Sequence, residues 1–113
     1  MLLDECVPKR LKREFSDYEI STVDEAGFKG LKNGNLIRAA DGKYDVLITV
    51  DKNMRYQQNI SKLPLAIIVL SSFSNRFESL MPLVPKALES LKNIKIGEII
   101  TFQKNKLEVN KIG

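Results

Sequence analysis

Three carboxylates stand where chemistry could use them. Asp4 and Glu5 follow the short apolar run "MLL", and Asp51 follows the longer run "YDVLITV". Like charges raise one another's pKa and repel, so clustered acids are unfavourable unless a cation sits among them. With a divalent ion, two or more such acids can hold a water, lower its pKa and orient a phosphodiester for hydrolysis. The plainer alternative is local: Asp4 and Asp51 each cap a helix that follows, as Asp often does. The chain has no histidine and one cysteine, Cys6. That excludes the common zinc sites and histidine-based triads, and it leaves Cys6 without the partner a cysteine nucleophile needs. Metal chemistry must then use oxygen ligands and a hard ion, Mg²⁺ or Mn²⁺.

Further residues could serve a polyanionic substrate. Arg55, just beyond Asp51, can pair with a phosphate or stand as a solvated charge. Tyr56 can stack on a base or pack on the core. "SSFSNR" sets Ser71, Ser72, Asn75 and Arg76 between a strand end and a helix start, a natural anion site. Ordinary N-capping by Ser74 or Asn75 is the alternative.

Positioning these groups requires a particular set of elements. "MLL" reads as a buried strand. Pro8 suits the first turn of a helix, and Leu11 and Phe15 recur at i, i+4, so 8–15 predicts an amphipathic helix. "YEISTV", 18–23, alternates like a second strand, and the glycine-rich 24–34 reads as a loop. Leu36, Ile37, Ala39 and Ala40 predict a short helix over about 34–41, with Gly42 placed to end it. The near-continuous apolar runs 44–50 and 65–70 predict strands buried on both faces. The polar segment 52–62 between them has room for one or two helical turns. Phe77 to Leu91 carries a helical stripe, core or partner surface, with a kink or break near Pro82, because proline removes a backbone donor. Segments 97–103 and 106–112 read as two strands joined by a turn at Lys104–Asn105. The order implies α/β layering with a mainly parallel sheet. In such sheets functional groups gather at the carboxyl ends of the strands.

The composition agrees with one small domain: 113 residues, 43% hydrophobic, with a formal net charge of +4. No window is apolar over the ~20 residues of a membrane span. "MLLDEC" meets a charge too early for a signal peptide, and a single cysteine fits a reducing, cytoplasmic setting. A basic surface suits RNA or DNA and also serves solubility alone.

"LLDECVPKRL", then "KNGNLIRAADGKYDVLITVDKNMRYQQN", then "AIIVL" resemble the short PIN-like family of bacterial proteins. These are relatives of the PIN-domain ribonucleases that include VapC-type toxins. The resemblance covers nearly the whole chain. It implies a three-layer α/β/α sandwich and an acidic site for Mg²⁺ or Mn²⁺. It also implies cleavage of single-stranded RNA and control by an antitoxin protein, with a homodimer as a further expectation. Asp4 matches the acid after the first strand, Asp51 the acid after the third, and Glu5 the second residue of the opening motif. The chain departs from the pattern twice. Cys6 stands where relatives usually carry Asn, and Asn35 where an acid is common. Asn35 would then be an uncharged fourth ligand.

Two other classes compete. A phosphoacceptor receiver domain also carries acids after strand 1, an Asp after strand 3 and a hydroxyl after strand 4. However, only about twenty residues separate Asp51 from Ser71, too few for its helix, loops and strand. A PIN-like binding module without cleavage is the stronger rival, and Asn35 is the feature that favours it.

Overall fold

Aliphatic and β-branched runs form strands wherever both of their faces can be covered. The computed structural model describes residues 1–51 and 63–103, and there the central runs do so. The strands are β1 (Leu2–Leu3), β2 (Ser21–Thr22), β3 (Val46–Thr49), β4 (Ala66–Ser71) and β5 (Ile99–Gln103). They form one sheet in the order β2-β1-β3-β4-β5, and all four pairings are parallel. The helices are α1 (Asn33–Ala40), α2 (Phe77–Leu80) and α3 (Val84–Ser90), with 3₁₀ segments at Lys9–Phe15 and Met81–Leu83. The expected helical turns in 52–62 and the strand at 106–112 with its turn lie outside the described residues.

Alternation along the strands divides the core in two. Leu3, Ile48, Ile68 and Leu70 join Leu11, Phe15, Leu80 and Val84 in one buried cluster. Leu2, Leu47, Ile67 and Val69 join Leu36, Ile37 and Ala40 in another. Side chains two residues apart share a sheet face, so helical segments cover both faces. This explains why β3 and β4 have no polar alternation.

Several boundaries differ from the sequence reading, each for a local reason. The expected strand 18–23 pairs only at Ser21–Thr22. The Tyr18 amide donates to Phe15 O at 3.0 Å, so the turn closing the preceding segment consumes a donor that a longer strand would need. Segment 9–15 winds as a 3₁₀ helix rather than an α-helix, yet it still buries Leu11 and Phe15. Helix α1 ends as expected. Gly42 adopts φ +79°, a conformation that favours glycine, while Lys43 and Tyr44 amides donate to Ala40 O. That reversal delays β3 to Val46. The stripe from Phe77 breaks into α2, a 3₁₀ turn containing Pro82, and α3. Pro85 is tolerated because it sits in the first turn of α3.

The loop after β2 is fastened by Glu25. Its Oε1 accepts from the Thr22 amide at 2.9 Å, and its own amide donates to Thr22 Oγ1 at 3.0 Å. Lys12 donates to both carboxylate oxygens, at 2.8 and 3.0 Å. The Lys12 ammonium, then the Thr22 amide, hold the Glu25 carboxyl below its ordinary pKa.

Candidate functional site

The sheet order locates a site before any side chain is considered. From β1 the chain moves outward to β2, then returns to add β3 on the other side of β1. Such a reversal opens a crevice at the carboxyl ends of the two strands it separates. Asp4 follows β1 by one residue, and Asp51 follows β3 by two.

Register brings a third residue to the crevice. Leu2 pairs with Leu47 and Leu3 with Ile48, so the next step sets Asp4 beside Thr49 on the same face. Thr49 is fully buried. Its hydroxyl donates to Asp4 Oδ2 at 2.7 Å and accepts from the Asp51 amide at 3.1 Å. One hydroxyl therefore ties both strand-end acids into a single chain of hydrogen bonds. Asp4 Oδ1 accepts from the Glu5 amide at 2.8 Å. Asp4 is half-buried, with its backbone amide bonded to Ile48 O at 2.9 Å.

Asp4, Glu5 and Asp51 line one open cleft with Cys6, Lys32 and Asn75. Glu5 is exposed, and its Oε1 accepts from the Gly30 amide at 3.4 Å. The Cys6 thiol donates to Asp4 Oδ2 at 3.6 Å. Partial removal from water, with the Asp4 charge adding to it, pushes this thiol above its ordinary pKa. The shift favours the neutral thiol at Cys6.

Other expected residues separate from the cleft. Asn35 does not line it. Its carboxamide oxygen instead accepts from Arg38 Nη2 at 2.6 Å, one helical turn along α1. Lys32, immediately before α1, occupies that wall. The start of α1 separates the two: Lys32 is the extended residue before the helix, whereas Asn35 lies in its first turn, where its side chain meets Arg38. Ser71 is buried as the last residue of β4 and also does not line the cleft, although a phosphoacceptor site would need its hydroxyl near Asp51. Arg76 borders a separate hollow with Phe73. Neither Ser74 nor Asn75 is the N-cap of α2. Arg76 takes that position, and its amide donates to Ser74 Oγ at 3.0 Å. Arg55 and Tyr56 lie outside the described residues.

The sequence reading passed over Thr49, Lys32 and Phe73. Threonine within "VLITV" looks like one more strand former. Lys32 lies in a stretch read as loop. Phe73 lies among the polar residues of "SSFSNR". Phe73 is 87% exposed.

The donors facing the cleft are carboxylate oxygens, a set suited to a hard divalent ion that keeps several waters. Among the described residues, no three His, Cys, Asp or Glu side chains form a metal-holding group by themselves. Among them also, no helix is long and apolar enough to cross a membrane. Comparison with family models, with curated proteins and with solved structures returns no match.

Proposed function

We propose that the chain is a divalent-metal-dependent ribonuclease acting on single-stranded RNA, with a PIN-like, three-layer α/β/α architecture. The observation that carries this reading is the meeting of Asp4, Glu5 and Asp51 on one cleft at the β1/β3 reversal. Apolar clusters on both sides of a parallel sheet support the architecture. Asp4 and Asp51 would hold Mg²⁺ or Mn²⁺, with Glu5 at the rim and water completing the shell. The ion would supply Lewis acidity toward a phosphodiester oxygen and an attacking water. Thr49 fixes the Asp4 carboxylate through its hydroxyl on Oδ2, while Oδ1, which accepts from the Glu5 amide, keeps a lone pair for a further bond. Lys32 offers a positive charge to a bound phosphate. The family resemblance extends the reading to a cytoplasmic toxin restrained by an antitoxin protein.

A binding module without cleavage is the second reading. It is favoured by Lys32 standing on the wall where a further acid would serve, and by Asn35 being engaged with Arg38.

The test is incubation of the purified protein with a panel of single-stranded RNAs, in Mn²⁺ or in EDTA. The nuclease reading expects cleavage in Mn²⁺ alone, lost in Asp51→Asn. Equal cleavage in EDTA, or by Asp51→Asn, would sink it. Intact RNA together with Mn²⁺ stabilisation would select the second reading.

A further inference from the structure

Among the described residues, the acid cleft is flanked by two further hollows along the carboxyl edge of the sheet. Asp4 and Glu5 form a wall shared with a second hollow, which continues past β2 through Asp24 and is edged by Lys9 and Lys29. On the other side, Asn75 ends the acid cleft. Beyond it lies the third hollow, bordered by Phe73 and Arg76. Strand order makes this a line: β2, β1, β3, β4. Three steps of about 4.8 Å give it a span of roughly 14 Å.

Phe73 is the unusual member of this line. Burying a phenylalanine side chain is favourable, and Phe73 forgoes that at 87% exposure. Phe77, four residues on, packs against the core. Phe73 and Asn75 sit two residues apart on one short loop. That loop is held by the Arg76 amide on Ser74 Oγ at 3.0 Å. A residue lining the acid cleft and an exposed aromatic face are therefore carried by the same short segment.

We infer that a single nucleic-acid strand lies along this edge, its backbone near Lys9 and Lys29 and one base stacked on Phe73. The inference rests on the nuclease reading and assigns that substrate its path. Exposed aromatics beside basic groups are how single strands are held without reading sequence. The acids sit mid-path, where a backbone phosphate between the two anchors passes.

The experiment is fluorescence anisotropy of a short labelled single-stranded RNA with the whole chain, in EDTA to prevent cleavage. Phe73→Ala should weaken binding about 5- to 150-fold, the equivalent of one lost stack, and Phe73→Trp should restore it. On a labelled strand of abasic sugar-phosphate the two variants should match wild type. Lys29→Ala should weaken binding to both strands and flatten the salt dependence by about 0.7 in log–log slope. If wild type binds RNA and Phe73→Ala binds equally well, the path is wrong while the nuclease reading stands. If that variant instead alters only the sedimentation of the chain, Phe73 belongs to a protein contact and the inference falls. If wild type neither binds nor cleaves RNA, both fall. Phe73 is exposed enough that its replacement leaves the fold intact, which melting of each variant verifies.

Discussion

The Thr49 hydroxyl reaches Asp4 Oδ2 at 2.7 Å across the β1–β3 pair, joining residues 45 positions apart in the chain. Thr49→Val keeps the shape but removes this donor, along with the acceptor for the Asp51 amide. Unfolding in denaturant should show a loss of about 1–3 kcal/mol. Mn²⁺ affinity should fall as well, since Asp4 then keeps the Glu5 amide on Oδ1 but loses the donor that fixes Oδ2. Thr49→Ser keeps both bonds and should retain the metal response.

Divalent ions should raise the melting temperature of the wild-type chain in a concentration-dependent way. At a hundredfold excess over the dissociation constant the gain is about 2.7 kcal/mol. Asp4→Asn and Asp51→Asn should each flatten the response in a thermal scan. A response that persists in both variants would place the ion elsewhere.

Substitutions at α1 separate the wall from the helix face. Asn35→Glu should leave Mn²⁺ affinity unchanged in a calorimetric titration, because residue 35 faces Arg38. The added charge should stabilise the first helical turn by about 0.3–1 kcal/mol. Lys32→Glu should tighten Mn²⁺ binding and lower stability without metal, since it adds an acid beside Asp4 and Asp51. Equal affinities for wild type and Lys32→Glu would show that this wall does not reach the ion.

Acid should loosen the tie between the 3₁₀ segment and the β2 loop. The folded pKa of Glu25 is depressed, chiefly by Lys12. Its contribution is therefore present above the unfolded carboxyl value of about 4.3. It is lost as pH falls through the lower folded value. A melting series across this range should fall less steeply for Glu25→Gln than for wild type.

What the sequence disclosed followed the physics of burial. β3 and β4 were legible because strands covered on both faces leave an unbroken apolar run. The helix break at Pro82 was legible because proline lacks a donor. Asp4 and Asp51 stood out because charges directly after such runs must leave the core. Thr49 did not, since its value depends on the register of β1 against β3. The wall formed by Lys32, rather than Asn35, depends on where α1 begins, which no N-cap side chain announced. Strand β2 came out shorter because a turn at Tyr18 competed for its donors.

Strand β1 is flanked by β2 and β3, with consequences for how the cleft comes into being. Residues 2 and 3 gain their second neighbour only when residues 47 and 48 arrive. Closing a loop of that length costs about 3.4 kcal/mol of chain entropy, counting only its logarithmic growth with length. No local segment can therefore assemble the acids alone, and fraying of either strand separates them. The Asp4 amide, bonded to Ile48 O, should exchange its proton with solvent at the slow rate of the whole sheet. The cleft is thus cooperative with the core. Heat or denaturant should abolish ion binding and sheet structure in a single transition.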